Sequence, residues 1–423
     1  MFLLSKIIFC GDINGQTCSV SATDLMTGTT VRNFKGAGGL AANSLSLISD
    51  QYLIGAQKDS PVLYCWSLRG KDQQQKKIIC AGKINALCAT PDGHFVIVAV
   101  KEELFVYQLS SGCLLTKLER HFQPVTCIRT SSDSSYFISG GEDGIVLVWF
   151  LHELLNFTSL GLLSSEGMTN KEPKHSWSHH TAQITDICCS YSRINGKCVT
   201  CSTDQTCKVY EVLSGTLLVS LVFDTPLWSV AMDPAQYFLF IGGDNGNIYE
   251  TRLYEKPSQI ISRNAEQGPE FIGHSAKVNR LCVSVDGFAL VSGSYDSTVK
   301  VWHVISKQCM RTVTGKGPIN NLLVALTPRG LISDEYSLKP IEAFKREVDS
   351  DSSNERGSIA ITITNTTKRE HLDYDTSMES TLKTFLSKDE DYIDSTEEVK
   401  RLKSINENMY NYAVDAIFKS LTH

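Results

Sequence analysis

A chain of 423 residues with 42% hydrophobic residues and only 11 prolines can hold one large domain plus an extension, and is too apolar to be largely disordered. Its 40 Lys or Arg against 46 Asp or Glu give a net charge of −6, which argues against a chain built as a whole to hold nucleic acid. No apolar run reaches the roughly 18 residues of a membrane-spanning helix.

In chain order, the N-terminal MFLLSKIIFCGD has the apolarity of a secretory leader, but Lys6 interrupts it and no small-residue cleavage site follows. It therefore reads as a β-strand, the first of three in residues 1–36 (LLSKIIFC, TCSVSATDL and TTVRNF). A pattern then recurs: an alternating strand, a turn, a strand ending in small residues, a turn with Asp, and a strand closing on an aromatic. The closing aromatics are Trp66, Tyr107, Trp149, Tyr210 and Trp302, with a degenerate copy ending near NIYETRL before the last. Trp66 to Tyr107 to Trp149 are steps of 41 and 42 residues, and Tyr210 to Trp302 is 92, or two periods. Four strands repeated at this period are the signature of a propeller blade, a small sheet that buries its faces only by stacking on neighbours. The long step, 61 residues from Trp149 to Tyr210, places an insertion at 151–177 that begins with a short helix at LHELL.

Six blades are complete in order. One more blade, shared between the two ends of the ring, requires INNLLVAL (319–326) to join the three N-terminal strands, with residues 1–12 supporting the shared blade from outside. The expected fold class is thus all-β, a seven-bladed propeller over 1–333 with a C-terminal extension ending in an α-helix.

Three copies share a polar set at matching distances. His121 precedes Ser139, Asp143 and Trp149 by 18, 22 and 28 residues, and His274 precedes Ser292, Asp296 and Trp302 by the same three. His180, Thr200, Asp204 and Tyr210 form a third set that is two residues longer. Asp can accept from the imidazole, the imidazole can reach the hydroxyl, and the hydroxyl can accept from the indole N–H, which satisfies polar groups inside a blade. A Ser, a His and an Asp could also be a hydrolase triad. However, an active site occurs once and this set recurs, so the tetrads read as structural.

Fourteen cysteines without a leader suggest reduced thiols in the cytosol or nucleus. The spacing of Cys188, Cys189, Cys198 and Cys201 suggests zinc. Against that, Cys198 and Cys201 lie in one strand at an odd separation, on opposite faces, and read as core cysteines. Asn156 and Asn365 match the glycosylation acceptor, idle without secretion. No metal or cofactor is expected.

After residue 333 the balance shifts. Residues 334–423 hold 19 acids and 12 bases, leaving 27 acids and 28 bases in the propeller, so direct nucleic-acid binding is not expected. Residues 334–394 read as an acidic linker with a short strand at 358–364. Residues 395–421 read as a helix opened by the capping box Ser395-Thr396-Glu397-Glu398. Val399, Leu402, Ile405, Met409 and Tyr412 form its apolar stripe, suited to pairing, coiled-coil fashion, with another chain.

The repeats resemble the WD-repeat family. The stretches DQQQKKIICAGKINALCATPDG, SSYFISGGEDGIVLVW, WSHHTAQITD, DQTCKVYEVLSG, SKQCMRTVTGKGPI and EEVKRLKSINENMY are similar, within it, to the propeller subunits of the Rix ribosome-maturation complex. Tyr210 departs from the family's usual Trp. The resemblance implies a non-enzymatic scaffold in maturation of the large ribosomal subunit, through pre-rRNA processing and pre-ribosome remodelling. Its implied partners are a proline-, glutamate- and leucine-rich scaffold protein, a helical-repeat subunit and the midasin ATPase, in the nucleolus and nucleoplasm and secondarily the cytoplasm, with no membrane role. The competing readings are a generic adaptor such as a ubiquitin-ligase substrate receptor, a role in replication licensing, or a propeller enzyme. The last lacks support, because the chain has no H-E-x-x-H and the glycines of GAGG (36–39) lack the Lys-Ser/Thr of a phosphate loop.

Overall fold

The alternating runs form antiparallel sheets, seven of them, arranged as the blades of a β-propeller. The computed structural model describes residues 6–15, 18–69, 75–159, 171–191, 196–253, 260–262, 270–332, 341–342 and 344. These belong to a unit spanning Met1–Arg356, while a second unit, Gly357–His423, lies outside the described residues, as do the strand at 358–364 and the helix at 395–421.

Strands β1 (Lys6–Asp12), β2 (Val20–Asp24) and β3 (Thr30–Phe34) open the chain. Four-strand blades follow as β4–β7 over 46–79, β8–β11 over 84–119, β12–β15 over 125–177 and β16–β19 over 184–222. The sixth blade is β20–β22 over 227–252, completed by β24 (Glu270–Phe271), while β23 (Ile260–Ser262) adds a parallel fifth strand beside β19. Strands β25–β28 cover 278–314, and β29 (Ile319–Leu326) ends the ring. The insertion leaves β14 as helix α1 (Leu151–Ser159), whose Leu151 and Leu154 pack beside Trp149.

Burial follows from stacking. Strand β13 (Tyr136–Gly141) is buried at every position, whereas the outer strand β11 (Leu114–Glu119) alternates between core and solvent. The apolar side chains gather in seven clusters, one in each cleft between neighbouring blades. Backbone fit at the clefts is close. Gly144, at φ 72°, lies in a turn where a Cβ would come 2.9 Å from the His180 carbonyl oxygen of the next blade.

Closure joins the two ends of the ring. Strand β29 pairs with β1 from Lys6↔Leu326 to Asp12↔Ile319, and β1 pairs on its other edge with β2. The shared blade therefore has the order β29-β1-β2-β3. This corrects the expectation that residues 1–12 support it from outside. Strand β1 is flanked on both edges, because the late strand β29 takes the inner position against β25 (Val278–Val283).

Packing continues past residue 333. After the short helix α2 (Arg329–Ile332), Ile341 and Phe344 lie buried between the second and third blades. In other clefts the outer strand of one blade sets an aromatic ring against the closing aromatic of the next. Phe34 meets Trp66 at 6.2 Å, Trp177 meets Tyr210 at 4.0 Å, and Phe271 meets Trp302 at 5.7 Å between centroids. Before Tyr107 the outer strand β7 (Gln75–Ile79) supplies only Ile78 to this cluster, and Phe344 stacks on Tyr107 at 4.3 Å instead. Two hydrogen bonds fix the segment, from Lys76 Nζ to the Ile341 carbonyl at 3.0 Å and from Glu342 N to the Leu109 carbonyl at 3.2 Å.

Two truncating changes test this architecture. Deleting residues 1–12 strips β29 of its only ladder partner among the described strands, and soluble yield should collapse. Phe344→Ala should cost about 3 kcal/mol and lower the melting temperature without changing secondary-structure content by circular dichroism. An unchanged melt would show that the segment does not belong to the fold.

Candidate functional site

The three predicted tetrads are each brought together by a turn before the inner strand, the end of the second strand and the closing aromatic of the third. In the fourth blade Trp149 Nε1 donates to Ser139 Oγ at 3.1 Å, Ser139 Oγ lies 2.9 Å from His121 Nε2, and His121 Nδ1 lies 3.2 Å from Asp143. In the seventh, the corresponding distances among Trp302, Ser292, His274 and Asp296 are 2.8, 2.7 and 2.8 Å. The protons run one way, from indole to hydroxyl, hydroxyl to Nε2, and Nδ1 to carboxylate, which satisfies a neutral imidazole.

The fifth blade shows what Tyr210 changes. His180 still sits 2.8 Å from Thr200 Oγ1 and 2.9 Å from Asp204. The Tyr210 hydroxyl lies 3.3 Å from His179 Nδ1, and the indole of Trp177 stacks on the phenol ring with only 4° between their planes. The aromatic position is thus kept by stacking with the preceding blade.

Each Asp also accepts from the backbone N–H after its His, at 3.1 Å from Phe122, 3.0 Å from Thr181 and 3.1 Å from Ser275. Burial alone would raise these carboxyls. Hydrogen bonds outweigh it, from His121 at Asp143, from His180 and Thr206 at Asp204, and from Thr298 and His274 at Asp296, and hold all three below the usual carboxylate range. Burial pushes His274 below the usual imidazole range, although Asp296 draws it back up. Ser139, Thr200 and Ser292 are each 0% exposed, so no substrate carbonyl can reach their hydroxyls. What the tetrads can do chemically is hold turns to strands.

The suspected zinc cysteines are dispersed. Cys198 faces the cleft between the fourth and fifth blades and Cys201 the cleft between the fifth and sixth. Burial pushes the Cys188 thiol up to about 12, and those of Cys198 and Cys201 well above their ordinary value. Among the described residues no group of three or more His, Cys, Asp or Glu is placed to hold a metal, and no helix is long and apolar enough to cross a membrane. The stripe Val399, Leu402, Ile405, Met409 and Tyr412 lies outside the described residues.

A second polar assembly was missed by the sequence reading. Asp186 Oδ1 lies in the central channel 2.9 Å from Arg129 Nη2 and 3.0 Å from Arg280 Nη1, joining the fourth, fifth and seventh blades. Arg129 Nε donates to the Ile187 carbonyl at 3.1 Å, and Arg280 Nε to the Asn320 carbonyl at 3.0 Å. The signal was present. When the inner strands VTCIRT, ITDICC and VNRLCV are aligned, a charge replaces a small residue at the third position in two of them and at the fifth in one.

The tetrads make a pH-dependent contribution. In the folded state Asp296 and His274 both bind fewer protons than in the unfolded chain, so acidification destabilises. His274 acts first, below about pH 6.5, and the carboxylate contribution is present above about pH 3.9 and lost as the pH falls through its lowered value. Asp296→Ala should cost about 1–3 kcal/mol at neutral pH. The gap in melting temperature between wild type and variant should narrow below about pH 4. A variant that melts like wild type at neutral pH would remove the structural role from this tetrad.

Comparison with known proteins agrees with this geometry. The WD domain, G-beta repeat model matches residues 112–149, 171–211 and 266–303, the three tetrad blades. WD repeat-containing protein 18 of Danio rerio is 36% identical over 81% of this chain and 79% of its own length. The protein of that name in Homo sapiens is 37% identical over 78% of this chain and 75% of its own. The Caenorhabditis elegans pre-rRNA-processing protein pro-1 is 26% identical over 77% of this chain and 62% of its own. With more than a third of the aligned positions identical, over most of both chains, the protein belongs to the WD-repeat family, among the relatives called WD repeat-containing protein 18.

Proposed function

We propose that the protein is a non-enzymatic scaffold subunit that acts in pre-rRNA processing and remodelling of the large ribosomal subunit precursor, in the nucleolus and nucleoplasm. The observation that carries this is the extended likeness to WD repeat-containing protein 18 together with the weaker likeness to proteins named for pre-rRNA processing. The buried tetrad hydroxyls support the non-catalytic half of the reading, because the Ser, His and Asp that resemble a triad are committed to the fold. Structural tetrads hold the blades, the blades hold the turns, and the turns present surface to partners. Those partners are a proline-, glutamate- and leucine-rich scaffold protein, a helical-repeat subunit and the midasin ATPase on pre-ribosomal particles.

The helix over 395–421 is the assembly element of this reading. A helix of that length is only marginally stable alone in water, and its stripe requires an apolar cover. Depleting the protein should make large-subunit pre-rRNA intermediates accumulate, and unchanged pre-rRNA profiles would reject the reading. Leu402→Asp with Ile405→Asp should leave the propeller's melting temperature nearly unchanged while recovery of the partners by pull-down drops sharply, since each charge would be desolvated in an apolar contact. A lowered melting point with intact assembly would instead place the helix on its own propeller.

A further inference from the structure

The inner strands share a defect that shapes the channel mouth. In β8 (Ile84–Ala89), β12 (Val125–Thr130), β16 (Ile184–Cys189), β20 (Leu227–Met232) and β25, the register with the next strand shifts after the first residue. Such a bulge re-aims one side chain. The bulged residues are Asn85, Thr126, Thr185, Trp228 and Asn279, and all five line one cavity of about 690 Å³ at the mouth of the channel. Three of them stitch the ring. Thr126 Oγ1 donates to the Ile184 carbonyl, Thr185 Oγ1 to the Leu227 carbonyl at 2.9 Å, and Asn279 Nδ2 to the Ile319 carbonyl at 3.1 Å. In the sixth blade Ser229 takes over that task, donating to the Val278 carbonyl at 2.8 Å, and the bulged position is left to Trp228.

Trp228 holds a cation at the mouth. Its Nε1 donates to Asp244 at 2.8 Å, and Lys277 Nζ lies 3.4 Å from the indole centroid and 4.9 Å from that of Tyr295. Burial pushes the Lys277 amine below its ordinary range, against the pull of Asp244. Around it stand Lys58, Lys83 and Lys101, with Arg280 deeper in, against Asp59 and Glu142. Lys83 pairs with Asp59 at 2.5 Å, whereas Lys58 and Lys101 have no ion pair among the described residues. Arg280 is 5% exposed, and its Nη1, although at ion-pair distance from Asp186, has no hydrogen-bond acceptor in alignment. A propeller close to neutral overall thus sets five cations, Lys58, Lys83, Lys101, Lys277 and Arg280, against two acids, Asp59 and Glu142, around one concave site.

We propose that this mouth is a docking site for an acidic peptide segment of a partner protein, with a carboxylate directed toward Arg280 and others among Lys58, Lys101 and Lys277. The volume lies within the roughly 300–1,000 Å³ of pockets that enclose a small ligand. Carboxylates suit a mouth in which lysines are interleaved with amides. A single-stranded RNA suits it less. One face of the Trp228 indole is taken by Lys277 and its N–H by Asp244, Asp59 and Glu142 would meet the phosphates, and the site is a basin, not a groove that follows a backbone. The inference is independent of the ribosome-maturation reading.

The test is fluorescence anisotropy on the full chain with a labelled peptide of alternating Glu and Gly, its Gln counterpart, and a labelled oligouridylate. Wild type should bind the Glu peptide, more weakly as salt rises, and ignore the Gln peptide. Lys58→Glu with Lys101→Glu should weaken binding by about tenfold or more at an unchanged melting temperature. Lys77→Glu with Lys197→Glu, an equal charge change away from the mouth, should leave it unaltered. The proposal is overturned if wild type does not bind the Glu peptide, if both double variants lose binding equally, or if oligouridylate binds at the mouth and the peptide does not.

Discussion

A sheet that is apolar on both faces can be stable in water only between two others. In this protein that constraint acts on every blade, and it explains why strands such as β13 and β14 are nearly continuous in buried residues while the outer strand β11 alternates and the outer strands β7 and β28 are largely exposed. It also explains why the apolar core consists of seven separate layers between blades. A stack with two ends would leave two apolar faces in solvent. Bending the stack into a ring removes them, and the ladder between β1 and β29 holds that ring shut. Tetrads, bulges and aromatic contacts all refine an arrangement that this ladder makes possible.

Much of this was legible in the sequence because the repeat is a local signal. The spacing of His121, Ser139, Asp143 and Trp149 is fixed by strand and turn lengths inside one blade, and the same arithmetic located the copies at 180–210 and 274–302. Closure by 319–326 followed from counting strands. The illegible parts are those in which distant segments meet without a period. Phe344 fills a cleft beside Tyr107 that no repeat assigns to it, because it lies beyond the last repeat and carries no spacing signal. The position of β1 within its blade depends on which side of it β29 takes, a tertiary choice. The parallel pairing of β23 with β19 is of the same kind. The charges of the channel lay between these extremes, visible once inner strands are aligned and overlooked because charged residues in strands ordinarily face water.

The channel shows how one scaffold keeps structure and recognition apart. Asp186 accepts from Arg129 and stands at ion-pair distance from Arg280, each carried by another blade, so the deep part of the channel is bound up in cross-ring contacts. Removing Asp186 would leave the buried Arg280 and the partly exposed Arg129 without their shared counter-charge, and a buried cation stripped of its partner is strongly destabilising. Toward the mouth the bulged residues change role from stitching to display, and Trp228 marks the transition, since Ser229 relieves it of the inter-blade bond. Turns at the mouth can vary while the stitches beneath them remain.

Ring closure by the last strand also sets a timetable. During synthesis β1–β3 emerge first, yet the inner partner of β1 is encoded roughly three hundred residues later, at Ile319–Leu326. At about 5–20 residues per second the ribosome needs on the order of 15–60 s to deliver it. Through that interval the free edge of β1 and the apolar face it belongs to are exposed, while the intervening blades stack one after another into an arc. Completion then depends on a loop closure of the longest kind the chain offers, slow relative to the pairing inside any blade. Until Ile319–Leu326 is made, the newborn protein can therefore form only an open ring in which the inner edge of β1 is unpaired.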